Sequence, residues 1–313
     1  MLEDDKILLI VNPNSRKGKG RKRAGEIHDV FESHSIDIDV AYTEGPGHAE
    51  TLAYEGAENG YTTIISAGGD GSMNEVLNGI MRSSRRDEVK LGIIPLGRGN
   101  DYAFSLGLPC DVREATEVII NGFTRRVDCG ETKDRKAGKT YYYLNGNGFG
   151  FEPMVNHRAM QYRHLNGMPS YVVAFMGIMM KPPRPYDVTI TTELETVKVQ
   201  SQQISICLGR RMGSAFMLAP TAVIDDGYFD LMYTKHPLSR FSLLGCVLQF
   251  LRGVHVDNHR TFHCARVKHV EIESERSEMT SHIDGEMIAV GNGMSYAVDI
   301  LEKAVEIYVP YTK

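Results

Sequence analysis

The run Ser66-Ala67-Gly68-Gly69-Asp70-Gly71-Ser72-Met73-Asn74-Glu75 has the residue types of an anion site. Its three glycines let backbone N–H groups approach a phosphate with no Cβ in the way. A strand before it and a helix after it would aim those groups at the anion. Asp70 puts a carboxylate where a magnesium–nucleotide complex needs one. Taken alone, the run fits a tight strand-to-helix turn equally well. Asp284-Gly285-Glu286 offers two more carboxylates, which by themselves read as a β-turn with solvated side chains. Asp226-Gly227 with Asp230 reads as a turn entering a strand. His255, His259 and His263 are evenly spaced, with Cys264 next to the last. On one helix face they would make a zinc site. Asp257-Asn258 and Thr261-Phe262 argue against a continuous helix there, so a histidine-bearing surface loop is the expectation.

The elements that must position these groups follow from the apolar pattern. Lys6 to Val11 is a near-continuous apolar strand of the kind found in parallel sheets. It ends in Asn12-Pro13-Asn14-Ser15, a turn cluster. The glycine-spaced basic run Arg16 to Arg23 then opens a helix through His34; it suits phosphate or an anionic lipid, with a solvated helix start as the plain alternative. It is not a P-loop, because no Gly-Lys-Ser/Thr ends it. Ile36 to Tyr42 is a second strand, leading into Thr43 and a loop. Ala49 to Asn59 is helical, Thr62 to Ile65 is the central strand, and Leu91 to Pro95 is a fourth. Strands alternating with helices to about residue 120 predict a doubly wound parallel sheet. Ligands then bind outside the carboxyl ends of the strands, where these loops lie.

Near residue 125 the pattern changes. After a charged Lys133 to Lys139 hairpin come Thr140 to Leu144, Tyr186 to Thr192, Val197 to Leu208, Tyr228 to Tyr233, Ala265 to Ile272 and Met294 to Leu301. These alternating or β-rich runs predict a second, mainly antiparallel β-sandwich domain. The expected boundaries are 1–127 for an α/β nucleotide-binding domain, with about 302–313 packing back on it, and 128–301 for the β-rich substrate domain. Two apolar helical stretches, Ser170 to Met180 and Ser239 to Leu251, interrupt the strands. They read as core helices. The alternative is an acyl-chain groove or bilayer contact, with Tyr171, Phe175, Met176, Met179 and Met180 as an adaptable wall.

The net charge of −5 over 313 residues gives no global basic field for nucleic acid. Five scattered cysteines with no Cys-x-x-Cys pair argue for a reducing compartment. The acidic start enters a strand directly, without a signal peptide, and no apolar run reaches the length of a membrane span. The expected location is cytoplasmic, and an exposed edge strand in the second domain would be able to pair two subunits.

Taken in order, these motifs resemble the diacylglycerol kinase catalytic-domain family, in particular its bacterial soluble lipid kinases, which are similar to sphingosine kinases. The resemblance covers nearly the whole chain. It rests on Asn12-Pro13, Thr43, the Gly68-Gly69-Asp70-Gly71-Ser72-x-Asn74-Glu75-Val76 run and Pro95-Leu96-Gly97-Arg98-Gly99-Asn100-Asp101. Gly146-Asn147-Gly148-Phe149-Gly150, Ala219-Pro220, Asp226 to Leu231 and Asp284-Gly285-Glu286 continue it. It implies an ATP-dependent, magnesium-requiring lipid kinase that visits the membrane surface during turnover. Its nucleotide cradle would comprise Asn12, Pro13, Asn14, Ser15, Thr43, Gly68, Gly69, Asp70, Gly71, Ser72, Asn74, Glu75, Arg98, Asn100 and Asp101. Asp70 would handle Mg–ATP directly or through water. Glu286 would be the general base, in a cleft between domains, with Asp284 orienting it or the metal and Asp128 in the same cluster. A separate structural magnesium would sit on Asp226 and on backbone carbonyls near Val223 and Tyr228. One departure stands out: Arg98 occupies a position where the family usually has a threonine contacting the nucleotide. Diacylglycerol, giving phosphatidic acid, is the expected lipid. A kinase acting on NAD or a sugar phosphate, or a silent nucleotide-binding regulator, is the alternative.

Overall fold

A computed structural model describes residues 5–162, 168–180, 184–274, 279–288 and 293–311. Residues 1–4, read above as an acidic lead-in, and 312–313 lie outside them. The chain divides into two compact units, residues 1–128 with 303–313, and residues 129–302.

In the first unit β1 (Ile7–Val11) is followed by the short α1 (Ser15–Gly18) and by α2 (Gly20–Ser33). Then come β2 (Asp39–Tyr42), α3 (His48–Glu58), β3 (Thr63–Gly68), α4 (Asp70–Arg82), β4 (Lys90–Pro95), α5 (Asp101–Leu106) and α6 (Val112–Ile120). The strands are parallel in the order β2-β1-β3-β4, and residues 306–307 add in parallel beside β4. Every residue of β1 and β3 is buried, as near-continuous apolar strands require when both faces are covered. Ala24, Ile27 and Phe31 of α2 and Val112, Ala115 and Ile119 of α6 pack on Ile7, Leu9 and Val11. Leu8 and Ile64, pointing to the opposite face, meet Gly56 of α3. At the α3–α4 crossing a Cβ on Gly79 would lie 2.2 Å from the Glu50 carbonyl, so only glycine allows that approach.

The second unit contains most of β5 (Thr124–Asp134), then β6 (Lys139–Tyr143), β7 (Gly146–Gly150), α7 (Phe151–Gln161), α8 (Met168–Met180), β8 (Tyr186–Thr192), β9 (Thr196–Ser201), β10 (Gln203–Cys207) and β11 (Phe229–Thr234). α9 (Arg240–Arg252), β12 (Phe262–Val267), β13 (His269–Ser274), β14 (Ser281–Ile283), β15 (Glu286–Ile288) and β16 (Met294–Tyr308) complete it. The unit boundaries fall inside β5 and β16. One antiparallel layer runs β16-β13-β8-β9, and the other runs β12-β11-β10-β7-β14-β15. Val188, Ile190, Val270 and Ile272 from the first layer interdigitate with Phe149, Ile204, Ile206 and Leu231 from the second.

Several boundaries differ from the sequence reading. Val197 to Leu208 is two strands broken at Gln202, and Ala265 to Ile272 is divided at Lys268. In both cases the halves enter different layers. The basic run forms two helices, because Gly18 at φ +82° breaks the first. Only Asp39–Tyr42 of the second predicted strand pairs with β1, while Ile36 and Ile38 pack on the core from outside it.

Candidate active site

The Gly-Gly-Asp-Gly run is not an open loop. β3 continues through Gly68, α4 begins at Asp70, and Gly69 alone turns the chain. Gly97, in the loop after β4, lies flat on this turn. A Cβ on Gly97 would sit 2.5 Å from the Gly69 Cα and 2.7 Å from the Asn100 Oδ1. Asn100 closes its own loop from a left-handed conformation, φ +50°. Its Oδ1 accepts the Gly97 N–H at 2.9 Å and its Nδ2 donates to the Gly97 carbonyl at 3.1 Å.

Asp70 ties the two loops together. Its two oxygens accept the N–H groups of Asn100 and Asp101, each at 2.7 Å. Burial pushes its carboxyl above the usual carboxylate range, against the pull of those N–H groups. Glu75 does the same for the loop that carries Thr43, accepting the Gly47 N–H at 2.8 Å and the Ala49 N–H at 3.1 Å. This leaves α3 with acceptors for its first orphan donors. Asn12 Nδ2 donates to Ser72 Oγ at 3.3 Å, and Asn12 Oδ1 accepts the Asn14 N–H at 3.0 Å. Pro13 lies on the turn into α1 and Ser15 opens that helix, and the Pro13 carbonyl receives the Gly20 N–H at 3.2 Å. The Thr43 N–H donates to the Val11 carbonyl at 2.9 Å. Asn74 lies within α4, Asp101 is buried at the start of α5, and Arg98 is exposed at the loop tip. Ser66, Gly68, Gly69, Asp70, Pro95 and Asn100 line a pocket. The structure therefore brings the ends of β1, β2, β3 and β4 together. Asp70 and Glu75 act there as clamps on backbone amides. In the basic run, Arg16 reaches the Cys110 carbonyl at 3.4 Å, Arg21 covers the Tyr42 ring at 4.5 Å, and Arg23 pairs with Glu26. Asp128 is buried and accepts the Lys303 N–H at 2.7 Å.

In the second unit, Asp284-Gly285 is the two-residue turn joining β14 to β15. Both residues have positive φ, +48° and +89°, as a type I′ hairpin demands. The Asp284 side chain is not solvated, contrary to the plain turn reading. It is 3 % exposed, and it accepts the N–H groups of Leu144 at 3.2 Å and of Asn145 and Gly146 at 2.9 Å each. Glu286 opens β15 and is exposed. Beneath the turn lies a buried pair that the sequence reading did not include: His282 Nε2 is 2.6 Å from Glu152 Oε2. The glycine-rich run Gly146–Gly150 is the neighbouring strand β7. A Cβ on Gly148 would lie 2.7 Å from Glu152 Oε2 and 2.9 Å from His282 Nε2. Glycine at 148 was the available signal for a crowded strand.

Asp226 does not present an open metal position. Its Oδ1 accepts the Tyr228 N–H at 3.2 Å, and its Oδ2 pairs with the Arg266 guanidinium. Arg266 and Lys268 both lie over the Tyr228 ring, at 4.6 and 5.1 Å. Val223 and Tyr228 are exposed beside them. A guanidinium already supplies the positive charge expected of magnesium, and two cations beside the site disfavour a third. This donor set does not fit a divalent ion. The histidine run does not converge either. His255 is buried with Nε2 2.9 Å from the Leu218 carbonyl, while His263 stacks on Tyr233 from β12. The proposed methionine wall is also split, since Phe175 faces the core and Met176 and Met180 face outward.

The chain matches the diacylglycerol kinase catalytic domain over residues 6–132 and the YegS C-terminal NAD kinase beta sandwich-like domain over residues 147–308. It is 30% identical over 282 residues to a diacylglycerol kinase of Bacillus subtilis (strain 168), covering 89% of this chain and 88% of that one. It is 29% identical over 305 residues to a diacylglycerol kinase of Staphylococcus saprophyticus, covering 96% and 94%. A diacylglycerol kinase structure from Bacillus anthracis str. Sterne shares the fold with a TM-score of 0.73 at 20% identity, over 98% of this chain and 97% of that one. A clamped glycine turn, an Asn-Asp loop and a late Asp-Gly-Glu hairpin are thus set in a chain that belongs to the diacylglycerol kinase family of lipid kinases.

Proposed function

We propose that the protein transfers the γ-phosphate of ATP to the hydroxyl of a membrane lipid, diacylglycerol in the first instance, giving phosphatidic acid. The observation that carries the lipid acceptor is the outer surface of α8 and α9. Their inner faces, with Ala174, Phe175, Ile178, Leu243 and Phe250, are buried. Their outer faces expose Val172, Met176, Met180, Leu244, Leu248 and Phe241, the last at 87 %. Neither helix contains an acidic residue, and Arg240 and Arg252 begin and end α9. An exposed apolar face with basic ends suits an anionic bilayer surface. Among the described residues no helix is long and apolar enough to cross a membrane.

The chemistry needs a held nucleotide, neutralised charge and a proton acceptor. In this reading the first turn of α4 offers backbone N–H groups to the phosphates, and Gly69 and Gly97 let the two loops meet beside it with no Cβ between them. Asp70 holds the Asn100–Asp101 backbone in register with that turn. Magnesium bound with ATP would supply charge neutralisation, and Asp70, which lines the pocket, would hold it directly or through water. Glu286 accepts the hydroxyl proton as the lipid oxygen bonds to the γ-phosphorus and the bond to the bridging oxygen breaks, ADP leaving with that electron pair. Arg98 would add a guanidinium to the phosphates in place of a hydroxyl.

The test is transfer from γ-labelled ATP with Mg²⁺ to a panel of lipids in mixed micelles, with NAD in a parallel tube. Labelled phosphatidic acid is the expected product. Label on NAD alone overturns the lipid acceptor, and binding of nucleotide without any transfer favours a silent regulator. Glu286→Gln should lower kcat by about 10²–10⁴-fold, and full turnover in that variant removes the base assignment.

A further inference from the structure

The Gly285 peptide is gripped from both sides. Its N–H donates to His282 Nδ1 at 3.2 Å, and its carbonyl accepts from Asn156 Nδ2 at 3.4 Å. That carbonyl belongs to the peptide joining Gly285 to Glu286, so the two contacts fix the backbone from which the Glu286 side chain departs. Each gripping residue is held in turn. Because His282 Nδ1 accepts, its ring proton sits on Nε2 and donates to Glu152 Oε2 at 2.6 Å. Asn156 Oδ1 accepts the Tyr171 hydroxyl at 3.1 Å. Glu152 and Asn156 are four apart on α7 and share one face. The Glu152 N–H is itself held by Gln203 Oε1 at 2.6 Å, and Gln203 Nε2 donates to Ser205 Oγ at 2.7 Å. Gly148 leaves room for the Glu152–His282 pair on the β7 side.

Burying a carboxylate and an imidazole together is costly, and apolar side chains of the same size would fill the volume more cheaply. What apolar residues could not supply is an acceptor aimed at the Gly285 N–H. We propose that His282, set by Glu152, and Asn156, set by Tyr171, are positioning residues that aim the Glu286 carboxylate. The proposal rests on the reading of Glu286 as the base. Misplacing a reacting group by about 1 Å costs on the order of 10²-fold in rate, so this grip acts on kcat rather than on binding.

The test compares His282→Asn with His282→Gln in the full chain. Asparagine keeps an acceptor near the Nδ1 position; glutamine carries its amide toward Glu152 and leaves the Gly285 N–H without its partner. Expected for His282→Asn is a kcat within about 3-fold of the parent, and for His282→Gln a fall of about 10-fold or more, with KM for ATP and lipid within about 2-fold in both. Amide exchange at Gly285 should be slow in the parent and in His282→Asn and fast in His282→Gln. Equal kcat losses in the two variants, a change confined to KM, or unchanged Gly285 exchange overturns the proposal. Should the histidine variants not fold, Asn156→Leu removes the second contact with a side chain of similar size; it should lower kcat, and an unchanged kcat overturns the proposal. If the parent phosphorylates no lipid, the functional reading fails, and Gly285 exchange still decides the grip by itself. If the parent is active and His282→Gln equals it, the grip alone fails.

Discussion

Asp284→Asn isolates what the buried carboxylate in the β14–β15 turn does. Asparagine tolerates the positive φ of +48° at this position, so backbone strain is not introduced. The side chain is almost isosteric, so packing is retained. What changes is the acceptor set. The carboxylate takes three N–H groups, from Leu144 on Oδ2 and from Asn145 and Gly146 on Oδ1. An amide can keep the two on Oδ1 without their charge assistance, and its NH₂ then opposes the Leu144 N–H. Losing one charge-assisted bond and weakening two others, in a group that is 3 % exposed, should cost about 2–4 kcal/mol. For a unit of this size the melting temperature should fall by roughly 5–15 °C. The chain has no tryptophan, so circular dichroism is the suitable probe, with urea titration giving the free energy. A loss below about 1 kcal/mol would refute the reasoning, because three N–H groups could not then depend on this acceptor. Lost turnover with unchanged stability would instead return Asp284 to a direct chemical role.

Three other outcomes follow from the geometry. Gly97→Ala drives a methyl into the Gly69 Cα and should raise the KM for ATP about 10-fold while costing about 1–3 kcal/mol; an unchanged KM shows that the two loops do not share the nucleotide. Burial lifts the Asp230 carboxyl to about 6, with Arg266 opposing the shift. A raised native value means that this group's contribution is present at low pH and is lost as pH rises through about 6, so Asp230→Asn should gain up to about 3 kcal/mol over the parent above that pH and little at pH 4. A difference that stays flat across this range contradicts the burial argument. Removing divalent ions with EDTA should move the melting temperature of the nucleotide-free protein by less than about 1 °C. A larger fall restored by Mg²⁺ would mean that an ion displaces Arg266 from Asp226.

The parallel sheet was legible because β1 is apolar throughout and β3 is centred on the β-branched run through Ile64 and Ile65, and such buried runs between helices have one common solution. The loops at the strand ends were legible for the same reason, since their glycines and acids follow each run directly. What the sequence did not disclose were the partners. Asp70 read as a magnesium–nucleotide group, Glu75 as part of the nucleotide cradle and Asp284 as orienting the base or a metal, and each accepts backbone amides from a distant segment. Nothing local in those residues names the amides. β7 was missed because a glycine-rich strand has no β propensity of its own and is held by its neighbours. His282 was missed because its partner Glu152 is 130 positions away. The Asp226 ion pair was not legible for a related reason: its partner, Arg266, comes from the neighbouring strand β12.

The loop after β4 is fastened at Gly97 and again at Asn100 and Asp101, while Arg98, one of the two residues between those fastenings, is exposed. Such a loop behaves as a mount pinned on both sides of its tip. If Arg98 meets the nucleotide as proposed above, a library randomised at residue 98 separates the part of donor preference written at the tip from the part written in the fastenings.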